Sequence, residues 1–74
     1  MVVERKYNPI DYEEALAESM ERAYTLAEAG ADKNRLFSAI EDVYFFTKEA
    51  VKFREIDPAT GADIQAFFWG LCND

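Results

Sequence analysis

Apolar residues recur at three- and four-residue steps along most of this chain, and two breaks divide the pattern into three stretches. In the first, Tyr12, Leu16, Met20, Ala23, Leu26 and Ala27 repeat at helical spacing. At ~100° per residue they span about 120°, the width of an ordinary buried helix face. Asn8-Pro9 predicts where this helix begins, because Asn caps well and Pro suits the first helical position. Gly30 predicts its end, since a glycine just past a helix takes the left-handed conformation that closes it. The expected helix is 9–29, after a polar lead-in over 1–8 that carries Val2, Val3 and Tyr7.

Asp32 is available to cap a second helix, expected over 33–55. Its apolar face is Leu36, Ala39, Ile40, Val43, Phe46, Ala50, Val51 and Phe53. Phe37 and Tyr44 widen that face to about 200°, more than one neighbouring helix covers. The second helix is therefore expected at the centre, with the first helix on one flank and the third helix, or another subunit, on the other. Asp57-Pro58-Ala59-Thr60-Gly61 is turn chemistry. Thr60 and Asp63 resemble a capping box, which places a third helix over 61–72 with Ile64, Phe67, Phe68 and Leu71 as its stripe. An alternative start has Asp57 as cap and Pro58 as the first helical residue. The predicted fold is all-α: an antiparallel helical hairpin plus a shorter third helix, a three-helix bundle in one small domain, 1–74, with completion by dimerisation left open.

Length limits the chain to one domain, and domains of 74 residues bury a modest share of their surface. Half the residues are hydrophobic, so the chain does not read as a disordered acidic tail. The one cysteine, Cys72, excludes a disulfide within the chain and makes a reducing cytoplasm the default setting. The N-terminus lacks the apolar core and small-residue cleavage site of a signal peptide, and no apolar run is long enough to span a membrane.

Charge adds a further pattern. Asp11, Glu14, Glu18, Glu21 and Glu28 fall at three- and four-residue steps, with Thr25 in the gap, nearly opposite the apolar arc of the first helix. This row covers about 25 Å, and Arg22 is the one basic residue within the helix. With 15 acidic residues against 8 basic, the formal net charge is −7. That balance argues against direct binding of nucleic acid or anionic lipid and favours a protein partner with a basic surface. The row reads either as a solvated face or as a set of carboxylates that occupies a site built for nucleic-acid phosphates. Three aromatic residues miss the core stripes: Phe45, amid the polar face of the second helix; Trp69, about 140° from the third-helix stripe; and Tyr24, off the first-helix arc. Either the lead-in or a bend of the third helix covers them, or they anchor an interface.

Catalytic chemistry has little to build on. The chain has no histidine, so imidazole bases, His-metal sites and His-dependent triads are excluded. Glu13/Glu14, Glu41/Asp42 and Glu14/Glu18/Glu21 are carboxylate groupings, but the Glu-x-x-His of a di-iron bundle is missing. The segment Asp57–Asp63 lacks the alternating oxygen ligands of a calcium loop, and no glycine-rich phosphate loop is present. Cys72, beside Phe68 and Leu71, reads as a small hydrophobe. No cofactor or metal is expected. Two readings follow. One is a small acidic regulator or inhibitor, in its sharpest form a nucleic-acid mimic of the phage anti-defence type, using Asp11, Glu14, Glu18, Glu21 and Glu28 for charge and Phe45 and Trp69 for anchoring. The other is an assembly module, a homodimeric bundle or accessory subunit without a catalytic role.

Overall fold

The three stretches fold as three α-helices: α1 (Glu14–Ala29), α2 (Lys33–Lys52) and α3 (Pro58–Cys72), after a single 3-10 turn at Pro9–Asp11. The computed structural model describes residues 3–72; Val2 of the lead-in lies outside the described residues. Asn8 caps the 3-10 turn, its side chain accepting from the Ile10 N–H at 3.3 Å. The turn does not run on into a helix over 9–29 as expected. Tyr12 and Glu13 are extended, and the Glu13 carboxylate takes the N-cap role, accepting from Leu16 N–H at 2.8 Å and Ala15 N–H at 3.1 Å. An acidic group at this end also faces the positive pole of the helix. The kink turns the Tyr12 side chain onto the core.

Gly30 closes α1 with φ +70°, as its position predicts. Ala31 N–H then reaches back to the Leu26 carbonyl at 3.0 Å, and Asp32 caps α2 by accepting from Arg35 N–H at 3.0 Å. The far end of α2 uses the same closure with a less suitable residue. Arg54 sits at φ +62°, its N–H donating to Val51 O at 3.1 Å, while Glu55 N–H donates to Ala50 O at 2.8 Å. This ends α2 at Lys52 rather than near Glu55, and turns Phe53 out to solvent instead of into the core. The third helix takes the alternative start. The Asp57 carboxylate accepts from both the backbone N–H and the hydroxyl of Thr60, at 3.1 and 2.6 Å, with Pro58 as first residue. Thr60 and Asp63 form no capping box, because each has another partner.

The helices pack as a three-helix bundle with α2 in the middle. Both α1 and α3 lie along it and touch one another little. The core joins Leu16, Met20, Ala23 and Tyr24 of α1 to Leu36, Ala39, Ile40, Val43 and Ala50 of α2 and Ile64 and Phe68 of α3. Two polar residues share it. The Ser19 hydroxyl donates to Leu16 O at 2.7 Å, whereas the Thr47 hydroxyl has no partner. Gly61 permits a close approach of α3 to α2: a Cβ there would fall inside contact distance of Val51 Cγ2.

Two substitutions test these local devices by urea denaturation. Gly61→Ala destabilises by about 1 kcal/mol, since overpacking costs about 1–3 kcal/mol and alanine's helix propensity returns up to about 1. In a Val51→Ala background that penalty disappears. Arg54→Gly stabilises by about 0.5–1 kcal/mol, raising Tm by a few degrees, because an L-residue in the left-handed region costs about 1–2 kcal/mol.

Candidate functional site

The predicted site residues divide between two faces. Glu14, Glu18 and Glu21 are exposed along α1. Asp11 is not in line with them, because it stands on the 3-10 turn beyond the extended pair Tyr12-Glu13. The row is also less unbalanced than its helix suggests. Arg5 of the lead-in lies across α1 and holds Glu28 in a two-pronged ion pair, Nε–Oε2 3.1 Å and Nη2–Oε1 2.9 Å. A third bond from the same guanidinium reaches Glu21 Oε2 at 3.2 Å. This pairing holds the Glu28 carboxyl below its ordinary pKa and moves that of Arg5 further up. Glu14 and Glu18 make no ion pair among the described residues.

The lead-in that supplies Arg5 acts as a strap from α1 to α3. Tyr24, off the predicted arc, is fully buried beneath it. Its hydroxyl donates to the Tyr7 carbonyl at 2.8 Å and accepts from the Tyr7 N–H at 3.2 Å, while the Arg5 guanidinium lies 4.8 Å over its ring. The Tyr7 ring packs edge-on against Phe67 of α3, at 5.8 Å between centroids. Asp63 of α3 receives both the Tyr7 hydroxyl and Lys6 Nζ, the latter at 2.7 Å. Those two donors hold the Asp63 carboxyl below its usual range. Desolvation, reinforced by the bond to Asp63, pushes the Tyr7 phenol up to about 12. For Tyr24, then, coverage by the lead-in is what the structure shows.

Phe45 and Trp69 have no such cover. They are 57% and 43% exposed, and both line an open groove of roughly 800 Å³ between α2 and α3. Two residues not singled out from sequence complete its aromatic lining: Phe37, 36% exposed, and Tyr44, 47% exposed. The signal for them was present in the wide apolar arc of α2. That arc has two neighbours, and α3 covers one flank of it while leaving Phe37, Tyr44 and Phe45 partly open. Phe37 meets Trp69 edge-to-face at 5.4 Å, tying the two walls together. Ala62 and Ala66 of α3 leave space on their side, and Glu41 and Lys48 are the charged groups lining the groove.

Comparison with protein-family models, with curated proteins and with solved structures finds no match to this chain. The site is accordingly read from its own chemistry. The groups whose pKa values depart from the ordinary, Arg5, Tyr7, Tyr12, Tyr24, Glu28, Asp57 and Asp63, belong to the strap, to the residues it contacts and to a helix cap, and none lines the groove. Their shifts have structural causes: burial for the tyrosines, and ion pairs or cap hydrogen bonds for the acids. Among the described residues no three acidic or thiol groups gather as a metal site. No helix of the described residues is long and apolar enough to cross a membrane. Cys72 is half-buried against the core.

The strap predicts a two-sided pH dependence. Glu28 and Asp63 have folded-state pKa values below the ordinary 4.5 and 3.8, so their contribution is complete above those values and is lost as pH falls below them. Tyr7 is raised from 10 to about 12, so its contribution is complete below pH 10 and is lost as pH rises toward 12. Thermal unfolding followed by circular dichroism is expected to show both limbs. Tyr7→Phe removes the Tyr7 part of the alkaline limb, leaves the parts of Tyr12 and Tyr24, which burial also raises, and leaves the Glu28 part of the acid limb.

Proposed function

We propose that this chain is a small acidic, non-catalytic protein that works by binding protein, and that the α2–α3 groove is its contact surface. The observation that carries the reading is the gathering of Phe37, Tyr44, Phe45 and Trp69, all partly open to solvent, on one face of a 74-residue chain. A patch of this kind marks an interaction site, and Trp, Tyr and Phe are the residues that dominate interface energetics. The groove is a poor small-molecule site. It is open, and it offers Glu41, Lys48 and Gln65 rather than a convergent set of buried polar groups. Both earlier readings fit this surface: a regulator that docks on another protein, or an assembly module. The lone Cys72 supports a cytoplasmic setting.

The nucleic-acid-mimic form of the regulator rests on a different face. Its support is Glu14 and Glu18, exposed and without ion pairs among the described residues, within a chain of net charge −7. Arg5 offsets part of the charge at Glu21 and Glu28, which leaves a shorter acidic row than five carboxylates in line. We place this face second to the groove, because exposed carboxylates on a helix are ordinary and four exposed aromatics on one groove are not.

Partner capture from a nuclease-treated native lysate, at low and moderate salt, separates the two faces. The groove reading expects capture that persists as salt rises and falls at least tenfold, on the order of the loss of one hot spot, in Phe45→Ala/Trp69→Ala. Glu14→Lys/Glu18→Lys is expected to leave such capture intact. If the acidic pair abolishes capture and the aromatic pair does not, the mimic reading replaces it.

A further inference from the structure

We propose that the occupant of the α2–α3 groove is a second copy of this chain, bound through α2 in an antiparallel, two-fold arrangement. The inference rests on the reading of the groove as a protein-binding surface and names what fills it. It begins with the order of residues on the outward face of α2. Phe37, Glu41, Tyr44, Phe45 and Lys48 line the groove in a stripe at three-, four- and one-residue steps. Glu41 lies three residues before Tyr44, and Lys48 lies three residues after Phe45. The stripe is therefore charge-antisymmetric about the Tyr44–Phe45 bond, one acid and one base at equal distances either side. A two-fold axis through that point, perpendicular to α2, sets Glu41 of each copy against Lys48 of the other. The same operation sets Tyr44 against Phe45 of the second copy, and Phe37 against Lys52. Isologous contact requires this kind of self-complementarity.

Shape follows the same symmetry. Phe45 is the most exposed of the four groove aromatics and projects from α2. Across the groove, α3 presents the short side chains Ala62 and Ala66. Each copy thus offers one aromatic knob and one recess of small residues. Gln65 lies between those alanines with its amide donating to the Tyr44 carbonyl at 3.4 Å, so it is turned toward its own α2. Long-range charge opposes the meeting of two chains of net charge −7 each, unless the acids are kept away from the contact. They are. Among the described residues no residue of α1, which carries Glu14, Glu18 and Glu21, lines the groove, and the charges that do, Glu41 and Lys48, cancel. A basic peptide in the groove would meet Glu41 only beside Lys48, with no net acid to match it, since the rest of the acid lies elsewhere. The proposed dimer leaves the α1 row outside the contact on both copies.

Sedimentation equilibrium from micromolar to millimolar chain tests the arrangement, with folding of each variant checked by circular dichroism. The wild-type chain is expected to show a monomer–dimer equilibrium, and Phe45→Ala to shift it to monomer. Each of the single reversals Glu41→Lys and Lys48→Glu sets two like-charge contacts in the dimer and is expected to weaken it about tenfold. The double variant Glu41→Lys/Lys48→Glu restores the two-fold pairs and is expected to recover the wild-type constant, as is an equimolar mixture of the two single variants. A wild-type chain that stays monomeric at millimolar concentration overturns the proposal. So does a dimer indifferent to Phe45→Ala, or one in which the double reversal fails to recover affinity. A monomer that captures another protein through Phe45 and Trp69 overturns the dimer while leaving the groove as the binding surface. Wild-type behaviour of Phe45→Ala/Trp69→Ala in both sedimentation and capture removes both.

Discussion

Tyr24 holds this bundle together in a direction that helix packing alone leaves open. α1 and α3 each lie on α2 and make little contact with each other. Tyr24 is a buried α1 side chain that bridges them, its ring 5.0 Å from Phe68 and 6.3 Å from Phe67. A tyrosine buried this deeply needs a partner for its hydroxyl, because an unpaired buried polar group costs on the order of 1–3 kcal/mol. The partner is the backbone of Tyr7, which offers both an acceptor and a donor. Satisfying one hydroxyl thus brings residues 5–7 onto the bundle, and with them the Arg5 and Lys6 ion pairs to α1 and α3. The strap is the price of burying Tyr24.

The strap also changes the electrostatic character of α1. Counted along its own helix, the acidic row has a single base, Arg22, and that base is engaged with Asp42 across the α1–α2 boundary at 3.3 Å. The counter-charge arrives instead from the lead-in, where Arg5 pairs with both Glu21 and Glu28. Exposed pairs of this kind add little stability singly. Their consequence is directional: the C-terminal half of the row is tied into the fold, and the N-terminal half, Glu14 and Glu18, is what faces outward unpaired. Charge and apolar surface are thereby separated, acids along α1 and aromatics between α2 and α3. The separation is what allows a strongly acidic chain to carry a locally neutral groove.

Much of this arrangement was legible in the residues, and the failures share one cause. Helical periodicity, the Gly30 closure and the Asp32 cap placed the hairpin, and the width of the α2 arc placed that helix at the centre. Each of these depends on residues close in sequence. The first helix was set too early because Asn8-Pro9 is a sound start signal for a 3-10 turn as well as for an α-helix. The second was set too long because an arginine in the left-handed region carries no sequence mark. Phe53 was assigned to the core on periodicity that no longer applied once the helix had ended. The anchors Phe45 and Trp69 were found by their departure from the core stripes, and they do converge. Phe37 and Tyr44 were seen as surplus apolar width and not recognised as the other half of the same surface.

By itself the sequence determined that the chain is all-α, how many helices it forms, which face of each is apolar, and that its chemistry excludes imidazole. These follow from spacing and composition, which act within a helical turn or two. Tertiary structure decided which off-stripe aromatics are buried and which are open. Tyr24 and Trp69 depart from their stripes in the same way on paper. One lies under the strap and the other at the mouth of a groove, because the lead-in crosses α1 toward Asp63 and Phe67 and does not reach the α2–α3 face. The pairing of Arg5 with acids 16 and 23 residues away is equally invisible to local pattern. Contacts between residues that distant depend on how the helices are placed in space, and only the packed core sets that.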